Sequence, residues 1–161
     1  MITLLLLTLA QEGEFKCKDG YVLRYRHSVP DKVEEGKKYP LVLCLHGKGG
    51  KSDAFAALAK HRDKSPCYVV YPHVDSAEYS WVGGRKPALP YVFELLDDVI
   101  AKRAVDTDRI YVTGQSMGGY GTFGALATRP DFFAAAAPIC GGGNTKDAAK
   151  YKDVAICVFH G

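Results

Sequence analysis

The pentapeptide Gly114-Gln115-Ser116-Met117-Gly118 restricts the fold more than any other stretch of the chain. It is preceded by the apolar, β-branched run Arg109-Ile110-Tyr111-Val112-Thr113 and followed by Gly119-Tyr120-Gly121-Thr122-Phe123-Gly124-Ala125-Leu126-Ala127, which is small and helix-compatible. Strand, tight turn and helix are therefore expected in that order. A serine at the apex of such a turn is pushed out at the sheet edge with its hydroxyl exposed, and glycines on both sides relieve the crowding of a strained backbone. The N–H groups that follow open a helix, where negative charge is favoured. One turn thus supplies an exposed hydroxyl and a site for an oxyanion, the two halves of nucleophilic acyl chemistry.

The remainder reads as alternating strands and helices. Tyr21-Val22-Leu23-Arg24-Tyr25-Arg26 has the β-branched and aromatic content of a strand in an N-terminal hairpin, and Asp31 to Pro40 reads as a charged surface loop. Leu41-Val42-Leu43-Cys44-Leu45 is a continuous apolar run of the kind buried on both faces of a parallel sheet, and it ends in the glycine-rich turn His46-Gly47-Lys48-Gly49-Gly50. Asp53 to Lys60 is expected as a short helix capped by Ser52 or Asp53, and Cys67-Tyr68-Val69-Val70-Tyr71 as a strand stopped by Pro72.

His73 to Pro90 reads as a long binding loop carrying Trp81. Apolar Val92, Leu95, Leu96, Val99 and Ile100 at helical spacing predict a helix over Tyr91 to Lys102. Downstream, Phe132 to Cys140 and Val154 to Phe159 are expected strands, joined by a short helical or looped link over Asp147 to Lys152. The pattern implies an α/β domain with a mostly parallel sheet, over residues 11–161.

Net charge is +3, with Lys and Arg scattered among Asp and Glu, which argues against a nucleic-acid partner. Five cysteines without a C-x-x-C spacing suggest no zinc site and are read as structural, Cys44 and Cys157 as buried apolar residues within strands. Residues 1–10, Met1-Ile2-Thr3-Leu4-Leu5-Leu6-Leu7-Thr8-Leu9-Ala10, are too short for a membrane span. They resemble the apolar core of a secretory signal with a cut before Gln11, although no Lys or Arg precedes the run; a buried strand is the alternative. A secreted or periplasmic location is the reading adopted, and a cytoplasmic one follows if the segment is not a signal.

Three segments in order resemble the α/β-hydrolase superfamily: His46-Gly47-Lys48-Gly49, the serine elbow, and Phe159-His160-Gly161. More narrowly, Val105 to Gly121 and Ala137-Pro138-Ile139-Cys140-Gly141-Gly142-Gly143 are similar to bacterial esterases and peptidases related to polyhydroxybutyrate depolymerases, feruloyl esterases and dienelactone hydrolases. The resemblance implies a three-layer α/β-hydrolase fold, incomplete at its C-terminus, with Ser116 as nucleophile. It implies an oxyanion hole from the backbone N–H groups of Met117 and Lys48, a loop-orienting role for His46 and Gly47, and substrate contacts from Trp81 and Gln115. It implies no metal or cofactor.

The catalytic acid and histidine are expected to follow the nucleophile in the order Ser, Asp or Glu, His. Asp131, Asp147 and Asp153 read as surface residues, and His160 has no acid after it to orient it. The expectation is therefore a fragment lacking on the order of 60–80 residues, of little activity alone. The implied function is hydrolysis of a small-molecule or polysaccharide-linked carboxylic ester through an acyl-enzyme on Ser116. The alternatives are a serine peptidase of the prolyl-oligopeptidase type and a non-catalytic hydrolase-like binding protein.

Overall fold

The computed structural model describes residues 11–50, 53–61, 63–84 and 86–161. The apolar run Met1–Ala10 and the cap candidate Ser52 lie outside the described residues. A seven-stranded sheet forms from β1 (Gln11–Lys16), β2 (Val22–Ser28), β3 (Tyr39–Leu45), β4 (Tyr68–His73), β7 (Val105–Gln115), β8 (Ala135–Ile139) and β9 (Ala155–Ile156), in the spatial order β1-β2-β4-β3-β7-β8-β9. The hairpin β1–β2 and the β2–β4 pair are antiparallel, and every later pairing in this sheet is parallel.

Burial follows the period-2 pattern of the strands. Leu41, Leu43 and Leu45 of β3, Val70 of β4, and Ile110 and Val112 of β7 enter one core, completed by α2 (Leu89–Lys102) and α3 (Met117–Thr128). On the other face Cys44, Val69 and Tyr71 pack with Phe55 of α1 (Asp53–Lys60). The chain is therefore a three-layer α/β fold, as the alternation of elements implied.

Several boundaries differ from the sequence reading. β4 runs through Pro72 instead of stopping at it. Its pairing with β3 ends at Val70, and beyond that point only β2 lies alongside, so the missing proline N–H costs the β3 ladder nothing. Helix α2 starts at Leu89, because Pro90 occupies the first turn, where its absent N–H is tolerated. The expected loop His73–Pro90 holds a small two-stranded sheet of its own, β5 (Tyr79–Ser80) with β6 (Lys86–Pro87). Pro130–Phe132 forms a 3-10 turn, so β8 starts only at Ala135.

The last expected strand shrinks most. Only Ala155–Ile156 forms regular pairing, with one further bridge from Ile139 to Phe159. Val158 and Phe159 are exposed, and Cys157, expected to be buried, is exposed as well. β9 is the sheet edge, so it has a neighbour on one side only and little to bury against. Among the described residues all five cysteines are free thiols, with Cys17, Cys44 and Cys67 buried and Cys140 and Cys157 exposed.

Candidate active site

Strand β7 delivers the serine elbow to the carboxyl edge of the sheet. Ser116 is exposed and has φ 54° and ψ −115°, a left-side conformation that L-residues adopt only when the surroundings force it. Two hydrogen bonds supply the force. The Ser116 N–H donates to the Ile139 carbonyl at the end of β8 (2.8 Å), and the Ser116 carbonyl accepts the Tyr120 N–H that opens α3 (3.1 Å).

Close approach explains the flanking glycines. A Cβ on Gly118 would overlap the Leu45 carbonyl oxygen, and one on Gly114 would come within 2.8 Å of the same atom. The elbow is thereby pressed onto the end of β3, whose Leu45 is in register with Gly114. Gln115, the last residue of β7, is exposed beside the serine, and Met117 is half-buried at the first position of the helix.

Past Leu45, the chain turns through His46 to Gly50. His46 is wholly buried. Its Nδ1 lies 2.7 Å from the Gly47 carbonyl, and its Nε2 accepts the Val74 N–H at 3.1 Å. Since Nε2 accepts, the proton must sit on Nδ1, and the ring is a neutral imidazole with both nitrogens in use. Burial lowers its pKa from the ordinary 6.5. This is the arrangement of a residue that holds a loop, and it leaves no lone pair to take a proton from Ser116.

The Gly47 carbonyl also accepts the Gly50 N–H (3.1 Å), and the Tyr71 hydroxyl donates to the Gly50 carbonyl (2.7 Å). Lys48 is exposed at the tip. Among the described residues, no partner is found for the N–H of Lys48 or of Met117. Trp81, expected in a substrate cleft, is instead completely enclosed, with its indole N–H donating to the His46 carbonyl at 2.8 Å. Its ring meets His46 edge-on at 4.8 Å, and Gly121 of α3 leaves it room.

No described residue hydrogen-bonds the Ser116 hydroxyl. Asp147 pairs with Lys150 (2.7 Å) and Asp153 faces Lys152 (3.9 Å), while Asp131 and His160 are exposed. Among the described residues no cluster of His, Cys, Asp and Glu could hold a metal ion. Sequence reasoning missed His73, which packs on Gly50 and lies 5.1 Å from the His46 ring; its one signal was its place at the carboxyl end of a buried strand.

A solved thermostable esterase superposes with a TM-score of 0.82 at 34% identity, covering 94% of this chain and 46% of its own. Poly(3-hydroxyalkanoate) depolymerase C of Paucimonas lemoignei is 33% identical over 147 residues, 83% of this chain. The chain has the α/β-hydrolase fold, and the proteins it resembles are esterases. A bifunctional acetylxylan esterase/xylanase of Neocallimastix patriciarum is 32% identical over 128 residues, covering 76% of this chain and 19% of that protein. The family model for the prolyl oligopeptidase family matches residues 90–156. The chain spans 34% of the length of the depolymerase. No helix among its described residues is long and apolar enough to cross a membrane.

Proposed function

We propose that this chain carries the nucleophilic half of a carboxylic ester hydrolase. The observation that bears most weight is the forced backbone of Ser116 at the carboxyl edge of β7, with its amide tied to Ile139 and its helix opening immediately behind. Strain of this kind is held by the surroundings at a cost of about 1–3 kcal/mol, and it serves to expose the hydroxyl.

In this reading the Ser116 oxygen attacks the acyl carbonyl carbon while its proton passes to a histidine. The carbonyl oxygen takes the negative charge, held by the N–H groups of Met117 and Lys48; loss of one such donor costs about 2.7–4 kcal/mol of barrier. The alcohol then leaves with the proton returned by the histidine, and water releases the acid from the acyl-enzyme by the same path in reverse. His46 cannot be that base, because both of its nitrogens are engaged. In the chain order the superfamily uses, that base and its carboxylate follow the nucleophile.

The substrate in this reading is a small-molecule or polysaccharide-linked ester, consistent with the names of the relatives, and the protein is exported. The match to the prolyl oligopeptidase family favours a second reading, cleavage of peptides by the same serine. Fluorophosphonate labelling decides between hydrolase and binding protein. The full-length protein should label at Ser116, and its Ser116→Ala variant should not. Hydrolysis of paired ester and amide substrates then separates the two enzyme readings. A full-length protein that fails to label refutes both.

A further inference from the structure

A second site lies along the same sheet edge, away from the serine. One face of β1, β2 and β4 carries two rows of side chains in register: Glu12, Arg26 and the buried Tyr71 in one, and Glu14, Arg24 and His73 in the other. Together with Gly50 they line a cleft of about 560 Å³. This is large enough for a sizeable ligand, since such sites commonly span ~300–1,000 Å³.

The chemistry of the lining narrows the ligand. Two guanidinium groups and two carboxylates cancel in formal charge, and only one pair is joined, Arg26 Nε to Glu12 Oε1 at 3.3 Å. His73 adds no net charge near neutral pH, because burial and the adjacent Arg24 and Arg26 disfavour its protonation. An anion would meet Glu12 and Glu14, and a cation would meet Arg24 and Arg26. An apolar ligand would strip water from four charged groups at a heavy cost. A neutral molecule bearing many hydroxyl groups satisfies both signs, since each hydroxyl donates to a carboxylate and accepts from a guanidinium.

Position supplies the second argument. Continuing the registers Leu45 with Gly114, Leu43 with Val70 and Pro72 with Tyr25 places His73 and Arg24 at the level of the β7 carboxyl end, where the elbow begins. Arg24 is three strand spacings from β7, about 14 Å at ~4.8 Å per strand. The floor of the cleft also abuts the loop that carries Lys48: Tyr71 bonds the Gly50 carbonyl, and His73 packs against Gly50 and His46. We infer that the cleft formed by Glu12, Glu14, Arg24, Arg26 and His73 is a distal subsite for an uncharged oligosaccharide chain that carries the ester to Ser116. The use of this subsite rests on the esterase reading, but the binding itself does not. Binding energy gathered so far from the reacting bond can be spent on positioning the ester.

The test is isothermal titration calorimetry of the protein with xylohexaose, in parallel with fluorophosphonate labelling. Saturable one-to-one binding is expected, unchanged in Ser116→Ala and weakened about fivefold or more in Arg24→Ala and in Glu14→Gln, each of which removes hydrogen bonds to the sugar. Both side chains are exposed, so neither variant threatens the fold. Absence of binding, equal binding in both cleft variants, or tighter binding of a charged galacturonate oligomer would overturn the inference. Sugar binding retained in a protein whose Ser116 never labels would remove the esterase reading and leave the subsite standing.

Discussion

The indole N–H of Trp81 donates to the carbonyl oxygen of His46 at 2.8 Å, and both side chains are completely buried. The bond joins the segment that follows β4 to the loop that follows β3, so the position of Lys48 depends on a residue far from it in sequence. Trp81→Phe keeps most of the packing and removes the donor, leaving a buried carbonyl unsatisfied. Equilibrium urea unfolding should show a loss of about 1–3 kcal/mol, and Trp81→Ala should lose about 3–5 kcal/mol. In full-length protein that labels with fluorophosphonate, Trp81→Phe should also label more slowly; an unchanged rate would separate the bond from loop positioning.

Gly118 and Gly142 offer a matched pair. A methyl group on Gly118 would run into the Leu45 carbonyl, which is backbone within the sheet and cannot yield. On Gly142 it would lie 3.3 Å from the Tyr120 ring edge, and that exposed side chain can swing aside. Gly118→Ala should therefore fail to accumulate as soluble folded protein, whereas Gly142→Ala should change stability by roughly 0.5 kcal/mol or less. Soluble yield on expression reads the first, and thermal unfolding followed by circular dichroism reads the second.

The Ser116 backbone should be a reservoir of strain. Ser116→Gly accepts φ 54° and ψ −115° without the Cβ penalty, so it should raise stability by about 1 kcal/mol, while Ser116→Ala should not. Denaturation midpoints of the three proteins test this, and a destabilised glycine variant would show that the elbow is relaxed.

His27, His46 and His73 all have pKa values lowered from 6.5, chiefly by burial. Below about pH 6.5 the unfolded chain takes up protons that the folded chain refuses, so the sign is the same for all three. Their contribution is complete above pH 6.5 and is lost as the pH falls through that value towards the folded pKa. Unfolding free energy measured from pH 5 to 8 should rise with pH and then level off. His73→Gln should flatten the rise, and an unaltered slope would assign it to other groups.

The thiols should fall into two classes. Burial pushes Cys17 up to about 11 and Cys44 to about 12, and also raises Cys67. Cys140 and Cys157 are exposed. Ellman's reagent should titrate two thiols quickly in the native protein and the remainder only after unfolding. A third fast thiol would mean that the packing over Cys17, or the face holding Cys44 and Cys67, opens readily.

Those features that depend on neighbours in the chain were legible in the sequence. The elbow announces itself because strand, glycine turn and helix are contiguous from Arg109 to Ala127, and β3 because Leu41–Leu45 is apolar without a break. What escaped depends on partners far along the chain. Pro72 looks like a stop until β2 is seen to be its only neighbour there, and Val154–Phe159 looks like a full strand until it is seen at the sheet edge. Trp81 reads as a substrate-cleft residue in the sequence because its hydrogen-bond acceptor is a backbone carbonyl, to which no side-chain pattern points. The cleft on β1, β2 and β4 is invisible for the same reason, since its rows are assembled by register across three strands.

The pairing of Leu45 with Gly114 has a bearing on the order of events in synthesis. As the ribosome releases the chain, β3 emerges well before β7, and the two must meet across a long intervening loop whose closure is slow and entropically opposed. Until they meet, the loop at Lys48 and the turn at Ser116 belong to separate parts of a fluctuating polymer. A nascent or partly unfolded molecule therefore holds the Lys48 amide at no fixed distance from its serine, and the proposed oxyanion pocket can exist only once the sheet has closed.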